Sequence, residues 1–182
     1  AEIASRRRAR RDDLLSHLVA AEIDGARLGD EEIVSTAILL LNAGHEATVH
    51  AIGNGVKALL ESGLAPAAAF ATEARTAATV EEMLRFDPPL HMFTRFALAD
   101  VAAFGHTFRK GDRIGLLLGA ANRDGARFPE PDRFDPTRSA AGHVAFGAGI
   151  HFCIGAPLAR LELEVALPIL FRRCPRLAIA AT

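Results

Sequence analysis

The sequence predicts a mainly α-helical chain with small β-sheets. An unusually long helical pattern runs from Glu31 to Ser62, short β-like runs follow between Val101 and Leu118, and a glycine-rich loop around Cys153 leads into a last helix. The chain has 182 residues, of which 50% are hydrophobic and 24% are charged. That composition is typical of a soluble globular domain with a real core.

The charge balance excludes some classes of function. A formal net charge of -1 gives no basis for nucleic-acid binding. The arginine-rich run from Arg6 to Arg11 is therefore interpreted as a solvated helix end or a linker. Two cysteines cannot form a disulfide framework, and no apolar run is long enough to cross a bilayer. No signal peptide is visible, so we expect a cytoplasmic protein without membrane contact.

Helices are predicted first. Apolar spacing favours a helix over residues 10–23, which Asp24-Gly25 ends. The long helix over residues 31–62 has Asp30 as a candidate cap and would extend ~48 Å if unbroken. A third helix over residues 77–85 stops before a proline pair.

The second half of the chain mixes strands, loop and helix. Residues 120–142 are rich in Asn, Arg, Asp and Pro and are predicted to be an ordered loop. The last helix is expected over residues 158–172. The predicted strands are Val101–Phe104, Thr107–Phe108, Ile114–Leu118 and Leu177–Ile179.

The loop before the last helix carries the strongest chemical signal. Cys153 precedes a helix N-terminus, where unpaired N–H groups and the helix dipole favour a thiolate. Gly147, Gly149 and Gly155 let the backbone approach a flat partner, so Cys153 is a candidate haem ligand. Two alternatives remain: a zinc site with His151, which lacks a second ligand pair at finger spacing, and a catalytic thiol with His151 as base.

This loop resembles that of the cytochrome P-450 family, the haem-thiolate monooxygenases. The family pattern Phe-x-x-Gly-x-His/Arg-x-Cys-x-Gly is matched, and the resemblance continues through residues 156–160. It implies haem b as cofactor, with Cys153 as the iron ligand and His151 as a donor to a haem propionate. It also implies a close approach to the cofactor by Phe146, Gly147, Gly149 and Gly155.

Two more matches follow the family's order. Glu82 and Arg85 resemble its Glu-x-x-Arg pair, and a spacing of three places both on one helix face. The resemblance adds Arg133 as the third member of a buried network that fixes the loop near the cysteine. It also places Arg95 where the family has an arginine for a haem propionate, and a guanidinium suits a carboxylate.

The fourth match lies inside the long helix. Ala43 and Gly44 resemble the family's small residues beside the haem, and Glu46 fits the acid that delivers protons during oxygen activation. The adjacent alcohol position holds Ala47, and Thr48 lies one residue later. One residue turns a side chain by about 100° around a helix, so Thr48 is not equivalent in position. A substrate hydroxyl, an ordered water or the use of peroxide would then replace the alcohol.

The resemblance covers the C-terminal half of the family fold: the long central helix, the Glu-x-x-Arg helix, the meander around residues 131–134, the cysteine loop over residues 146–155 and the final helix. It implies one incomplete domain over residues 1–182 without the N-terminal half. The parent protein would be a soluble bacterial monooxygenase that uses O2, a small organic substrate and a ferredoxin or flavodoxin. Candidate substrate contacts are Leu90, Met92 and Phe93. The alternatives are a non-catalytic or partly folded haem-binding fragment and a peroxide-using variant.

Overall fold

A computed structural model describes residues 1–180, apart from the side chain of Ile23. It is mainly helical with small β-sheets, as the sequence predicts, and the described residues form three two-stranded antiparallel sheets. The helices are α1 (Glu2–Arg8), α2 (Leu14–Ala20), α3 (Asp30–Glu61), α4 (Pro66–Ala69), α5 (Glu73–Phe86), α6 (Leu118–Ala121) and α7 (Ala156–Arg173). The strands are β1 (Glu22–Ile23), β2 (Ala26–Arg27), β3 (Met92–Phe96), β4 (Val101–Ala103), β5 (His106–Phe108) and β6 (Arg113–Leu117). The chain forms two compact units that divide between Glu46 and Ala47, inside α3.

The first unit shows why the first predicted helix is too long. The Asp13 side chain accepts a hydrogen bond from the Ser16 N–H at 2.8 Å, and this cap starts α2 at Leu14. After Ala20 the chain turns into the β1–β2 hairpin, whose Asp24-Gly25 turn has positive φ at both residues. The predicted helix over residues 10–23 is therefore a helix of seven residues followed by a hairpin.

Part of the arginine-rich run has acidic partners within this unit. Arg6 in α1 pairs with Glu2 at 2.6 Å and with Asp13 at 2.7 Å. Arg7 pairs with Asp30, the first residue of α3, at 2.6 Å. Arg6 and Arg7 are thus paired with carboxylates of their own unit rather than forming a free cationic surface.

The second unit has its core between α5, α7 and the later part of α3. On the later part of α3, Leu59 is buried, whereas Val49 is 56% exposed. The buried cluster comprises Ala51, Leu59, Ala69, Val80, Met83, Leu84, Ala145, Leu163, Leu167 and Phe171. Ala145 belongs to the segment before the cysteine, so the core extends directly to the candidate site.

Two sheets follow α5 in the second unit. Strand β3 pairs with β6, and β4 forms a hairpin with β5. The strand expected at Leu177–Ile179 is wrong, because this segment has no ladder partner within residues 1–180. Helix α5 begins at Glu73, earlier than predicted, because the Thr72 side chain caps it by accepting the Arg75 N–H at 3.2 Å.

Within residues 1–180, none of the helices is both long enough and apolar enough to span a membrane.

Candidate functional site

The loop that carries Cys153 is folded by its glycines and by one backbone hydrogen bond. Gly147 and Gly149 have φ values of +71° and +67°, a left-handed conformation that glycine adopts without strain. A 3₁₀ turn spans Gly149–His151, and the Cys153 N–H then donates to the Phe146 carbonyl at 3.0 Å. The loop thus closes on itself and leaves Cys153 exposed immediately before α7.

The surroundings of this cysteine fit a flat, apolar group with a metal at its centre. Ile150 is 98% exposed, Ile154 is 88% exposed and Phe152 is 52% exposed, so the sulfur is flanked by uncovered apolar side chains. A Cβ added at Gly149 would meet no atom within 4 Å, so the backbone there offers an open approach. A single soft sulfur with apolar neighbours matches the donor chemistry of a haem-thiolate site.

Among the described residues, no metal site formed by protein side chains alone is found near Cys153. Residues 1–180 hold no cluster of three or more His, Cys, Asp or Glu side chains that could bind a metal ion. This leaves the predicted zinc alternative without a ligand set, because His151 and Cys153 lack further partners there. His151 is exposed at the end of the 3₁₀ turn.

Arg95 lies in the middle of β3, opposite Ile114 of β6. Its Nη1 atom donates to the Thr94 carbonyl at 3.0 Å, and its guanidinium lies 6.0 Å from the Phe93 ring centroid. Within the part of the chain that the structure describes, no carboxylate pairs with it. An exposed guanidinium without an internal carboxylate suits an external one, such as a propionate.

The Glu-x-x-Arg pair is fully buried in α5. Arg85 donates from Nε and Nη2 to the two carboxylate oxygens of Glu82, at 2.7 and 2.9 Å. Its Nη1 atom also donates to the carbonyls of Asn122 and Pro131, at 2.9 and 3.0 Å. A bidentate pair with further hydrogen bonds compensates the cost of burying both charges.

The third arginine of this network is Arg138, not Arg133. Arg138 donates from Nε to Glu82 at 3.1 Å, and its side chain is 11% exposed. The Arg133 side chain is 63% exposed and pairs with Glu130, while only its backbone carbonyl reaches Arg85. The prediction of Arg133 as the buried member is corrected, because the path of the meander turns its side chain to solvent.

Asn122 connects this network with the cysteine loop. Its backbone carbonyl accepts the hydrogen bond from Arg85, and its Oδ1 atom accepts the Val144 N–H at 2.7 Å. The side chain is fully buried. The start of the cysteine loop is therefore anchored to the same residue as the Glu82–Arg85 pair.

A second, partly buried cluster, formed by Glu81, His143 and Arg160, was not foreseen from the sequence. Glu81 in α5 accepts a hydrogen bond from His143 Nε2 at 3.2 Å and two from Arg160 of α7. Burial would raise the pKa of Glu81, but the hydrogen bond from His143 and the hydrogen bonds and charge of Arg160 lower it to about 2. No spacing signal identifies this cluster, because its members lie 62 and 79 positions apart from Glu81.

The candidate proton-delivery residues lie on α3. Ala43, Gly44 and Glu46 are exposed residues of the first unit. Thr48 belongs to the second unit, where its hydroxyl donates to Glu162 of α7 at 3.2 Å. The hydroxyl that follows Ala47 is thus directed to a carboxylate on α7.

The candidate substrate contacts lie at the start of β3. Leu90, Met92 and Phe93 are 42%, 49% and 41% exposed, and two of them belong to the strand itself. Their role as substrate contacts remains a prediction.

Comparison with known proteins places the chain in a family. The family model for cytochrome P-450 matches residues 75–177. The chain is 46% identical over 181 residues to cytochrome P-450 107B1 of Saccharopolyspora erythraea, and 49% identical over 182 residues to a vitamin D(3) 25-hydroxylase of Pseudonocardia autotrophica. These matches cover 99% and 98% of this chain, and 45% of each relative.

A solved structure gives the same result. The cytochrome P-450 PksS of the Bacillus subtilis bacillaene polyketide synthase superposes with a TM-score of 0.92 at 40% sequence identity. The match covers 100% of this chain and 47% of that one, so the chain spans less than half the length of these relatives. The matched region includes α5, the meander, the cysteine loop and α7, and the chain belongs to the cytochrome P-450 family.

Proposed function

We propose that the chain is the haem-binding part of a bacterial haem-thiolate monooxygenase, with Cys153 as the iron ligand. The observation that carries the proposal is the exposed Cys153 on a glycine-shaped loop, inside the region that the family model matches. When bound, haem b supplies the oxygen chemistry by which one atom of O2 is inserted into a small organic substrate. A ferredoxin or flavodoxin supplies the electrons.

The residues of the loop bind and orient the cofactor in this proposal. Cys153 donates its sulfur to the iron, and the Phe146 carbonyl fixes its backbone through the 3.0 Å hydrogen bond. Ile154 and Phe152 provide apolar surface that the macrocycle removes from water. Arg95 and His151 hold the propionates, because a guanidinium and an imidazole both donate hydrogen bonds to carboxylates.

The two free cysteines of this chain, Cys153 and Cys174, allow a matched test of which sulfur binds the iron. The chain is reconstituted with haemin, reduced and exposed to carbon monoxide, and the Soret band is recorded. The wild-type chain is expected to show the red-shifted band diagnostic of thiolate ligation, and Cys153→Ser is expected to lose it. Cys174→Ser is the control, because Cys174 is also free and exposed. A band that is unchanged in Cys153→Ser would refute the proposal.

A peroxide-using reaction is the second candidate, and Thr48 favours it. The helix has Ala47 at the usual alcohol position, and the next hydroxyl, that of Thr48, donates to Glu162. A hydroxyl held by a carboxylate is oriented away from other acceptors. In this reaction hydrogen peroxide is the two-electron oxidant: its O–O bond breaks, one oxygen atom enters the substrate and the other leaves as water, so no external reductant is needed.

The two reactions are separated by their oxidants. Vitamin D(3) serves as the probe substrate, because one similar relative is named for acting on it. The haem-loaded chain is given the probe either with hydrogen peroxide or with NADPH, a reductase and a ferredoxin. Product with peroxide alone supports the second candidate, and product with the reductase system alone supports the first. Haem uptake without product in either assay supports a non-catalytic haem-binding fragment.

A further inference from the structure

The cysteine loop is held from outside by the Glu81–His143–Arg160 cluster. We infer that His143 is a positioning residue for Cys153. Its neutral imidazole accepts a hydrogen bond from the Ala145 N–H and so holds the backbone directly before the cysteine loop. This inference rests on the proposed role of Cys153 as the haem ligand. It concerns three residues outside the sequence motif of the loop.

The hydrogen bonds of His143 define its protonation state. The Nδ1 atom accepts the Ala145 N–H at 3.1 Å, so it carries a lone pair and no proton. The Nε2 atom therefore carries the proton and donates a hydrogen bond to Glu81 at 3.2 Å. The side chain is 3% exposed, so no water replaces either partner freely.

The same cluster holds the next residue of the loop by its ring. The Arg160 guanidinium lies 4.6 Å from the centroid of the Phe146 ring, close enough for a cation–π interaction. Arg160 is itself oriented by Glu81, through hydrogen bonds from its Nε and Nη2 atoms. One carboxylate thus orients both the imidazole that binds Ala145 and the guanidinium that covers Phe146.

The Glu81–His143–Arg160 cluster influences the position of Cys153 through the Phe146 carbonyl. The Phe146 carbonyl accepts the Cys153 N–H at 3.0 Å, so a shift of Phe146 changes the position of the sulfur. The Val144 N–H, one residue before Ala145, is held by Asn122. Two successive amides before the loop are therefore fixed by side chains rather than by a helix or a strand.

Two conservative variants separate the two bonds of the imidazole. In His143→Asn the amide oxygen can occupy the place of Nδ1 and accept the Ala145 N–H. In His143→Gln the amide nitrogen can occupy the place of Nε2 and donate to Glu81. His143→Phe removes both bonds while keeping an apolar ring. His91→Asn is the matched control, because His91 forms an exposed pair with Asp87 at 3.1 Å.

The first measurement is amide hydrogen exchange in the haem-free chain. We expect the Ala145 and Cys153 amides to exchange about tenfold faster in His143→Phe and His143→Gln, because one hydrogen bond is lost. His143→Asn should retain protection of both amides, and His91→Asn should match the wild type. Exchange that is equal in all four variants would overturn the inference, as would loss of protection in His143→Asn alone.

The second measurement uses the haem-loaded chain and its carbon monoxide band. The thiolate-type band should weaken in His143→Phe and His143→Gln, and it should match the wild type in His143→Asn and His91→Asn. If Cys153→Ser abolishes the band while His143→Phe and His143→Gln keep it at the wild-type intensity, the inference alone fails. A band that survives Cys153→Ser means that the proposed function itself fails.

Discussion

Glu81 and Glu82 are neighbours in α5, yet their carboxylates bind different parts of the chain. Glu82 accepts hydrogen bonds from Arg85 and Arg138, and from the Asp135 N–H at 2.8 Å, and so fixes the meander. Glu81 binds His143 and Arg160 on either side of the cysteine loop. Two adjacent residues of α5 thus anchor both the meander and the residues that flank the cysteine loop.

The correction from Arg133 to Arg138 can be tested by stability. Arg138→Ala should lower the free energy of unfolding by about 2–3 kcal/mol, because it removes a hydrogen-bonded charge from a carboxylate that is fully buried. Arg133→Ala should cost no more than about 0.5 kcal/mol, because that side chain is 63% exposed. Urea titration followed by circular dichroism measures both. Equal losses would show that Arg133 also contributes to the buried network.

Alanine substitutions at three glycines of α3 distinguish an effect on helix stability from an effect on haem binding. Gly44 and Gly53 are exposed, and a Cβ at either would meet no atom within 4 Å. Alanine at either position should therefore stabilise the chain by about 1 kcal/mol. Only Gly44→Ala should also weaken haem binding, because only Gly44 lies at the predicted cofactor approach. Thermal melts and haem titration give the two readouts.

Gly55 is the third glycine of α3, and alanine at this position should destabilise the chain. A Cβ there would lie 2.7 Å from the Sδ atom of Met83, which is buried in the core. Gly55→Ala should lower the free energy of unfolding by about 1–3 kcal/mol through overpacking. If Gly44→Ala left haem affinity as high as Gly53→Ala does, the assignment of Gly44 to the cofactor would be wrong.

The lowered pKa of Glu81 predicts part of the loss of folding stability at low pH. Its value of about 2 in the folded chain lies below the ordinary 4.5, so its contribution is fully present above pH 4.5 and is lost as the pH falls towards 2. Glu81→Gln should be less stable at neutral pH, and its unfolding free energy should depend less on pH in that window. Arg160→Gln should give an intermediate slope.

Urea titrations at several pH values between 2 and 7 measure these slopes. A slope in Glu81→Gln equal to that of the wild type would contradict the pairing of Glu81 with His143 and Arg160. Far-UV circular dichroism at neutral pH checks that each variant folds before the slopes are compared.

The turn of the β4–β5 hairpin holds an unfavourable residue. Phe104 has a φ of +53° and is fully exposed, whereas the equivalent position of the β1–β2 turn is Asp24, with a φ of +52°. Asn and Asp tolerate this conformation better than an aromatic residue. Phe104→Asn should raise the melting temperature by about 2–4 °C, for a gain of about 1 kcal/mol.

Gly105 supplies the control for this turn. Its φ is +73°, so Gly105→Ala should lower the melting temperature. A lower melting temperature in Phe104→Asn would instead show that the aromatic ring contributes contacts to the folded chain. Differential scanning calorimetry measures both variants.

The sequence predicts those features whose signals are local. The long helix α3 is predicted to within one residue at each end, and the Glu82–Arg85 pair follows from its spacing of three. The helix starts at Leu14 and Glu73 were missed, although Asp13 and Thr72 are recognisable caps. Local capping rules would have corrected both.

The rest of the candidate site depends on the path of the chain in space. Arg133 and Arg138 both lie in the same proline- and aspartate-rich segment, and only its course decides which side chain meets Glu82. His143 and Arg160 reach Glu81 from 62 and 79 positions away. No periodicity or motif within one segment carries that information.

The wide separation of these partners has a consequence for biosynthesis. Glu81 leaves the ribosome 79 residues before Arg160, which takes roughly 4–16 s at ordinary rates of translation. During that interval the nascent α5 lacks the partner that turns its carboxylate towards the thiol-bearing loop. The loop reaches its final shape only after α7 has emerged; on the proposed function, we expect haem to bind only at that stage, when the Glu-x-x-Arg helix is already made.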